Sequence, residues 1–510
     1  MMFNPQKLHP ISYVSGLLQS IKSNLFPLII GIFLVIRSGF DNIFELIFPG
    51  AILIFSVLGT ITKSIKIYKT RYWIENDQLI MTWGVFSKNR KELNIARIQS
   101  MDTSQNIVHQ ILGGVNLSVK TASDGIELDT VTKKQSDDLS NYIKERKNKI
   151  KNANSKVSDN DADLNDEHKE ERNENEQETI NEKEDVVFYR LSVKELLKMS
   201  FTSGGILIVF AALGSLYGFL AQVMDVEALI DPLINQFVNL TVIMVSLGVI
   251  FVILSYIIGS LIVFVKNFRY QLTFDGELLT VKYGLLTVKK RTVPITRIQA
   301  LKEEETLFRR MIGYTKISAI ITTDGNFENA EELDVTHVTI LPFLKKQKAY
   351  KLLEEIIPQF QFKPVKQGLP LQGIRRRIFI PSLFIIAIVL PIQIYLWSYT
   401  WIIGAAIILI MLLYATVQTT KSGLKVFDDS ISILNASPFE YETIWANRDK
   451  ILTYELSENP IIKRKDIAHF NIHLAYGNGM LSKGLRFINK KDAIDIYNWY
   501  KEKEVSEDAS

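Results

Sequence analysis

Long stretches almost free of charge constrain the fold of this chain more than any other feature of its sequence. A helix needs about 20 apolar residues to cross the hydrocarbon core of a bilayer, and six stretches meet or approach this length. They form three pairs, at 25–40 and 46–61, at 201–221 and 237–265, and at 378–396 and 401–417. A helix buried in a soluble core rarely stays apolar on every face. We therefore predict a membrane protein with three pairs of transmembrane helices.

Lysine and arginine cluster on one side of the predicted membrane, apart from Arg37, which lies near the outer end of the first span. The loops inside the pairs contain no Lys or Arg and carry acidic charges, such as Asp41 and Asp225. Basic residues lie at the other ends of the pairs: Lys63, Lys66, Lys69, Arg71, Lys266, Arg269, Arg375, Arg376, Arg377, Lys421 and Lys425. Because positive residues stay on the cytoplasmic side, we expect a multi-pass protein of the cell membrane with both termini cytoplasmic. The first 24 residues lack the pattern of a cleaved signal peptide.

An internal repeat of 200 residues orders much of the chain. A shift by 200 aligns Gly84 with Gly284 and Gly113 with Gly313, and it superimposes two Ile-x-Arg-Ile-Gln elements at 95–99 and 295–299. A constant register over about 40 residues is not expected by chance. Each copy begins directly after a helical pair, so we infer a duplicated cassette of two membrane helices and a soluble module.

Both copies show the alternation of β-branched and aromatic residues that is typical of strands. The predicted strands are 72–83, 116–121, 270–283 and 316–322. The first is broken by a turn at Asn76-Asp77. Each copy ends in a helical pattern, with Leu139 and Ile143 in the first and Leu353 and Ile356 in the second. We expect a small β-barrel or a bent sheet that is capped by a terminal helix.

A third, weaker copy follows the third helical pair. It has strand-like segments at 425–433 and 470–474, a turn-like segment at 435–438 and a helical pattern at 493–500. The segment 461–465 takes the place of 107–111 in the first copy. The Ile-x-Arg-Ile-Gln element is missing, so the sequence leaves the role of this copy more open than that of the other two.

Two further kinds of segment connect these units. Residues 157–185 contain thirteen acidic residues, three basic residues and no aromatic residue, so we expect a disordered cytoplasmic linker there. Short amphipathic segments precede the first two pairs, with Leu17 and Ile21 in one and Leu196 and Leu197 in the other. They lie on the inner leaflet as separate helices or simply extend the membrane spans.

These patterns divide the chain into eight segments. The expected order is an amphipathic segment (1–24), a transmembrane pair (25–66), a first module (67–146), the acidic linker (147–187), an amphipathic helix with the second pair (188–265), a second module (266–360), the third pair (369–418) and a degenerate third module (419–503). The expected class is an α+β membrane protein. Each module then hangs from its own pair of membrane helices.

The repeated residues resemble those of a known family. The glycine followed by a basic strand, the Ile-x-Arg-Ile-Gln element, Gly113 or Gly313 and the closing helix together resemble the bacterial pleckstrin-homology-like (PH-like) domain. Paired transmembrane helices before several such domains resemble the YdbT-like bacterial membrane proteins. The resemblance implies a seven-stranded, strongly bent sheet closed by a C-terminal helix. It implies no established catalytic activity, and an association with cell-envelope stress.

Catalytic and metal-binding motifs are not found in the sequence. The chain contains no cysteine, which excludes disulfides, thiolate zinc sites and thiol nucleophiles. The acidic segment 159–170 has the carboxylate spacing of a calcium loop but carries Leu164 at the position that needs glycine. His469 and His473 lie four residues apart on a predicted strand, about 13 Å along it, which is too far to share one ion. We expect no enzyme activity, no cofactor and no metal.

Basic and polar residues repeated in both copies are the candidate binding residues. They are Lys88, Arg90, Lys91, Arg97 and Gln99 in the first copy, and Lys289, Lys290, Arg291, Arg297 and Gln299 in the second. The lysines and neighbouring arginines would attract anionic headgroups of the inner leaflet by about 1 kcal/mol each, or they form an ordinary solvated strand face. Arg97 and Gln99, like Arg297 and Gln299, should share one strand face. They form a partner-binding edge, or the arginine holds a turn carbonyl.

These observations favour a non-enzymatic membrane scaffold. Its cytoplasmic PH-like modules would bind protein partners in the membrane, anionic lipid of the inner leaflet, or both. The net charge of +4 is too close to balance for a nucleic-acid partner. The alternatives are a transporter, which would need ionisable groups near the bilayer midplane, and a lipid-handling membrane protein.

The predicted topology can be checked with reporter fusions. A reporter fused after Asp225 should be active only outside the cytoplasm, and one fused after Lys133 only inside it, because the positive residues flank the second site and not the first. Reporter activity assayed in cells distinguishes the two sides. The reverse pattern would show that the helical pairs are inserted the other way round.

Overall fold

The computed structural model describes residues 4–10, 43–84, 87–98, 100–121, 125–160, 186–203, 240–322, 336–395, 399–476 and 479–507, with scattered positions between 12 and 35 and residues 214, 215 and 218. The chain divides into two compact units, Met1–Val186 with Leu278–Pro294, and Val187–Glu277 with Ile295–Ser510. The first unit holds the first repeat copy, the second unit holds the third copy, and the second copy contributes to both.

Helices form the membrane spans and close the modules. Within the described residues they are α1 (Ile43–Lys69), α2 (Ile107–Leu112), α3 (Lys133–Asn160), α4 (Val193–Thr202), α5 (Leu240–Lys266), α6 (Leu307–Ile312), α7 (Lys346–Ile356), α8 (Gln372–Tyr395), α9 (Thr400–Lys421), α10 (Pro460–Lys463) and α11 (Lys490–Glu507). Helices α1, α5, α8 and α9 are long and apolar enough to span a membrane, and at most 17% of the residues of each span are buried. The prediction is confirmed for these four; the spans expected at 25–40 and 201–221 fall mostly outside the described residues.

Strands make up the soluble part of the fold. Those described are β1 (Gln6–Lys7), β2 (Arg71–Glu75), β3 (Gln78–Trp83), β4 (Asn89–Asn94), β5 (Ser100–Gln105), β6 (Gly114–Lys120), β7 (Gly125–Thr132), β8 (Val186–Arg190), β9 (Gln271–Phe274), β10 (Leu278–Tyr283), β11 (Val288–Pro294), β12 (Ile298–Thr306), β13 (Tyr314–Ile321), β14 (His337–Lys345), β15 (Lys366–Gln367), β16 (Gly423–Val426), β17 (Ser430–Ala436), β18 (Glu440–Asn447), β19 (Ile451–Ser457), β20 (Ile467–Tyr476) and β21 (Gly479–Asn489). They form module one (β1–β7 with α3), module two (β8–β14 with α7) and module three (β15–β21 with α11). The expected α+β class with three repeated sheet domains is confirmed.

Each module begins with a strand that precedes its helical pair. Gln6 of β1 pairs with Tyr72 of β2, and Lys366 of β15 pairs with Leu424 of β16. In module two β8 lies beside β9, where Leu191 N donates to Tyr270 O at 3.0 Å. The helical pair is therefore an insertion between the first and second strands of a sheet.

In the first unit the sheets cross the boundary between repeat copies. Strands β1-β2-β3-β4 form a four-stranded sheet in that order, and a second sheet runs β7-β6-β5-β11-β10. The antiparallel pairing of β5 with β11 joins module one to strands of module two, with Val288 opposite Gln105 and Lys290 opposite Thr103. Within the described part of the chain, each copy has seven strands, which it divides between two open sheets, and no barrel closes.

The second unit repeats this arrangement. Its large sheet has the order β14-β13-β12-β18-β17-β16-β15, and a three-stranded sheet has the order β19-β20-β21. Strand β12 of module two pairs antiparallel with β18 of module three over seven residue pairs, from Ala300 opposite Ala446 to Thr306 opposite Glu440. Module three thus divides its strands in the same way as module one.

The closing helices fill the cores as the sequence predicts. In module one Leu139 and Ile143 of α3 are 1% exposed and pack against Ile74, Leu117 and Leu128 of the sheets. In module three Ala493 and Ile496 of α11 pack in the core that also contains Ile433, Phe470 and Leu485. The alternating burial of the strands, such as buried Tyr72 and Ile74 between more exposed neighbours in β2, follows from the two-residue period of a pleated strand.

The glycines that mark the repeat have a steric reason. Gly84 and Gly284 have φ angles of +128° and +113°. A Cβ at Gly84 would lie 1.8 Å from the carbonyl oxygen of Ser87, and one at Gly284 would lie 2.0 Å from that of Thr287. Only glycine fits this turn, so the same residue recurs at the same place in both copies.

The structure differs from the sequence expectations in three local features. The predicted strand 425–433 is the hairpin of β16 and β17, because the polar pair Asp428-Asp429 separates them. Helix α3 continues to Asn160, into the predicted linker; residues 161–185 lie outside the description. Before the second pair, β8 is followed by α4, whose Ser192 and Glu195 form a capping box.

Candidate interaction surfaces

The predicted basic residues of module one lie at the end of its sheet. Lys88 and Arg90 are exposed and Lys91 is half-buried, at the start of the terminal strand β4. The Arg90 guanidinium binds Glu92 at 2.6 Å and lies 5.8 Å from the centre of the Trp73 ring. The face of β4 therefore keeps a positive character next to an aromatic ring, and its outer backbone edge has no neighbouring strand among the described residues.

The matching residues of module two have different surroundings. Lys289, Lys290 and Arg291 lie on β11, which has β10 on one side and β5 on the other. Lys290 is exposed, whereas Lys289 and Arg291 are half-buried. The two basic strands are thus equivalent in sequence, but only the strand of module one has an open edge in this part of the structure.

The repeated arginine and glutamine do not share a strand face. Arg97 and Arg297 are the last residues of short 3-10 turns. Arg297 donates to the carbonyl oxygen of Thr322 at 2.6 Å, which is the turn-holding role that the sequence left open. Gln299 is buried and donates to Arg297 O at 3.3 Å. Arg97 is exposed, and Gln99 lies outside the described residues.

In modules one and three, the turn after the third strand lies beside the end of a membrane helix. In module three α9 ends at Lys421, and Ser422 Oγ accepts from Ala436 N at 2.9 Å. The turn that follows Ala436 carries Phe439, whose side chain is 68% exposed. In module one Arg71 follows α1, and the registers place Arg71 opposite Thr82 and Thr82 opposite Arg90. Both turns therefore lie at the membrane end of their sheet.

Two short helices, each next to the turn that follows the third strand of a module, expose large apolar side chains. In α6, Phe308, Met311 and Ile312 are 61%, 75% and 45% exposed. Leu307 N at the start of α6 donates to Phe439 O at 2.7 Å, so these residues and Phe439 form one surface. We call it apolar patch two.

The first unit contains the equivalent surface. Ile107, Ile111 and Leu112 of α2 are 47%, 77% and 46% exposed. Gln110 Nε2 donates to the carbonyl oxygens of Leu285 and Leu286, each at 3.0 Å, and both leucines are exposed. These five residues form apolar patch one. Neither patch is among the surfaces predicted from the sequence, although apolar pairs at a turn are a signal that can be read from it.

A network of ion pairs spans the paired strands β12 and β18. Lys302 contacts Glu304 at 2.6 Å and Glu442 at 3.2 Å, Lys316 contacts Glu304 at 2.6 Å, and Lys483 binds Glu442. Burial alone would raise the pKa of Glu304, but Lys316 and Lys302 hold it at about 2. Four strands of two modules are thus tied on one face by alternating charges.

The opposite face of β12 carries a buried carboxylate. Glu303 is 1% exposed, accepts from Tyr350 OH at 2.9 Å, and lies 3.5 Å from Lys346 Nζ, which also binds Glu305. Burial raises the pKa of Glu303 to about 7. Tyr350 also packs against Trp445 of β18, with ring centres 5.8 Å apart. Because Glu303 is almost fully buried and its partner Tyr350 contacts β18, we interpret this group as support for the module boundary.

The described residues offer little other chemistry. No group of three or more His, Asp or Glu side chains among them is placed to hold a metal ion. Both histidines lie on β20, and each has its own partner. His469 Nδ1 accepts from Phe487 N of β21 at 2.9 Å, and His473 lies 3.4 Å from Glu455 of β19. A cleft of about 370 Å³ between β15, β16 and α11 has Lys366, Asp492 and Asp495 in its wall. Its two carboxylates do not suit an anionic ligand.

Comparison with known proteins gives one family and one relative. The family model of the bacterial PH domain matches residues 23–147, 212–359 and 377–504. A curated relative, the UPF0699 transmembrane protein YdbT of Bacillus subtilis (strain 168), is 25% identical over 509 residues, which cover 98% of this chain and 99% of the relative. No solved structure matches the chain.

The raised pKa of Glu303 predicts a pH-dependent stability. Between its ordinary pKa of 4.5 and its folded value of about 7, the folded chain holds a proton that the unfolded chain has lost. Stability therefore falls as pH rises through this window. Glu303→Gln should remove this fall, measured as thermal unfolding midpoints of the detergent-solubilised chain from pH 4.5 to 7.5. The exposed Glu354→Gln is the control; identical pH profiles for wild type and Glu303→Gln would contradict the assignment.

Proposed function

The chain belongs to the bacterial PH domain family, and from this premise we propose that it is a non-enzymatic, multi-pass membrane scaffold whose modules bind anionic lipid on the cytoplasmic leaflet. The observation that carries this proposal is the position of apolar patch two and the basic start of β4 at the membrane end of their sheets. The transmembrane character is common to this chain and its curated relative. The side of the membrane and the ligand are the proposed parts.

The register of the large sheet gives the distance of patch two from the membrane helix. Strands β16, β17, β18 and β12 are consecutive neighbours, and neighbouring strands are about 4.8 Å apart. Three such steps separate the end of α9 from the start of α6, so patch two lies about 14 Å to the side of the helix. At that position, level with the end of a membrane span, Phe308 and Met311 would meet the boundary between headgroups and acyl chains.

The basic residues of module one are placed in a similar way. Two strand steps, from Arg71 to Thr82 and on to Arg90, correspond to about 10 Å from the end of α1. Lys88 and Arg90 are exposed there. A surface that combines apolar residues with lysine or arginine is typical of peripheral attachment to anionic membranes.

Each contact with the membrane surface contributes little free energy. Because the membrane helices hold the modules close to the bilayer, such weak contacts are sufficient for binding. Each basic side chain near an anionic surface contributes about 1 kcal/mol, and a large apolar side chain contributes about 1.5–3 kcal/mol when it is fully buried. The membrane helices hold the modules at an effective concentration in the millimolar range. The modules would therefore be attached to the membrane surface most of the time, although each contact is weak.

The strand pairing around the helical pairs supports the placement of all modules on one side of the membrane. Because β1 pairs with β2 and β15 pairs with β16, the chain leaves the sheet and returns to it around each pair. Strands that pair across the module boundaries, β5 with β11 and β12 with β18, cannot be separated by a bilayer. The excess of Lys and Arg at these ends favours the cytoplasm.

Lipid contact can be tested with a single reporter cysteine, because the natural chain contains none. A bimane fluorophore on Met311→Cys should be quenched by brominated lipid in nanodiscs, because Met311 is 75% exposed in patch two. The same fluorophore on Glu354→Cys, exposed on the closing helix α7, should not be quenched. Equal quenching at both positions, or at neither, would contradict attachment through the patch.

The contribution of the basic residues of β4 to lipid binding is tested separately. Lys88→Ala with Arg90→Ala should reduce the enrichment of anionic lipid that co-purifies with the full chain, measured by lipid mass spectrometry. Lys348→Ala with Lys351→Ala removes two exposed lysines of α7 and should leave that enrichment unchanged. An equal loss in both double variants would show that total charge, and not this surface, attracts the lipid.

A further inference from the structure

Among the described residues, the pairing seen at the two module boundaries is not made by β4 of module one or by β19 of module three, and each lies at the edge of its sheet. We propose that copies of this chain associate head to tail, with β4 of one copy pairing antiparallel with β19 of the next. In the two observed boundaries, β5 pairs with β11 and β12 pairs with β18. Strand β19 is the equivalent of β5 and β12 in module three, and β4 is the equivalent of β11 and β18 in module one.

The open edges follow from the strand orders. Among the described residues β4 is the last strand of the sheet β1-β2-β3-β4, and β19 is the first strand of the sheet β19-β20-β21. An edge strand presents unpaired backbone N–H and C=O groups to whatever approaches it. On β19 the side chains of Leu452 and Leu456 are also 47% and 40% exposed. A partner strand would satisfy the backbone and cover part of these leucines.

The repeat fixes how residues of the three modules correspond. Modules one and two are offset by 200, since the 3-10 turn Ile95–Arg97 matches Ile295–Arg297 and α2 matches α6. Modules two and three are offset by 153: the 3-10 turn at Ile295 matches the one at Arg448, and α6 at Leu307 matches α10 at Pro460. Every position of module three can therefore be written as its equivalent in module one.

Both boundaries use the same register once these offsets are applied. At the first boundary Val288, the equivalent of position 88, lies opposite Gln105. At the second, Glu440 lies opposite Thr306, which are the equivalents of positions 87 and 106. When both members of a pair are written in the numbers of module one, the two numbers add up to 193 at each boundary. A register that occurs twice from different sequences is a property of the module and not of one pair of strands.

Applied to the two open edges, this register brings opposite charges together. It places Asn89 opposite Ser457, Lys91 opposite Glu455 and Leu93 opposite Thr453. Oppositely charged residues directly across an antiparallel pair stabilise it. Basic residues do not prevent pairing, because Lys289 and Lys290 of β11 lie opposite Ser104 and Thr103 of β5.

The same arguments select the occupant. The edge of β4 fits a strand of the β5 type in the register of the repeat, and the described strand of that type with an open edge is β19. Two different surfaces are used, so the contact is heterologous and continues into rows or rings of copies. A second copy of this chain is therefore the partner, embedded in the same membrane.

Disulfide trapping tests the pairing in native membranes, because the chain has no cysteine of its own. Two differently tagged chains, one with Lys91→Cys and one with Glu455→Cys, are co-expressed and oxidised. We expect a covalent heterodimer that carries both tags. The matched control pairs Lys91→Cys with Leu456→Cys: a shift by one residue turns the side chain to the opposite face, so its yield should be at least several-fold lower.

The charge pair gives an independent test with folding controlled. Asn89→Cys and Ser457→Cys serve as the reporter pair, and Lys91→Glu or Glu455→Lys should each lower its disulfide yield. Both reversals in every chain should restore the yield, which a folding defect would not do. Equal yields for Glu455→Cys and Leu456→Cys, or no covalent heterodimer, would overturn the proposal.

Discussion

Backbone hydrogen bonding between strand edges is the interaction on which this structure depends. Among the described residues each module divides its strands between two sheets, and neither sheet closes on itself. Two of the edges that remain are covered by the neighbouring repeat copy: β11 covers β5, and β18 covers β12. Because uncovered edges attract other chains, the repeat copies stabilise one another rather than folding as independent domains. The ion pair of Lys302 with Glu442 and the edge-to-face contact of Tyr350 with Trp445 reinforce one of these boundaries.

The same sheets also determine how the membrane helices are held. Each described helical pair interrupts a sheet between its first and second strands, and the paired residues, such as Gln6 with Tyr72, hold the two ends of the insertion together. The module is therefore fixed to the bilayer by its own sheet and not by a flexible linker. This arrangement brings the turns beside α1 and α9, and the exposed helix α6 next to the turn beside α9, to the membrane end of their sheets. Under the proposed function, repetition of the modules multiplies a weak surface contact.

Much of the fold could be predicted from the sequence because its signals are local. The apolar runs, the turn at Asn76-Asp77, Gly84 with Gly284, and the closing helices with Leu139 and Ile356 are each visible in a short window. The first strands β1 and β15 are two residues long, too short for any pattern. The boundary pairings were also invisible, since they use backbone groups from residues far apart in the chain. Of the candidate site, Lys88 and Arg90 were found by composition, whereas the role of Arg297 depends on the distant carbonyl of Thr322.

The central claim is that β12 and β18 form one continuous sheet across a module boundary, and amide hydrogen exchange tests it most directly. In the full chain, dispersed in detergent and resolved to single residues, every amide from Ala300 to Thr306 and from Glu440 to Ala446 should exchange as slowly as those of the interior strand β13. Strand β19, with one edge open, should show slow and fast amides in alternation. The same alternation in β12 and β18 would contradict the account, because it would mean that their facing edges are open to water.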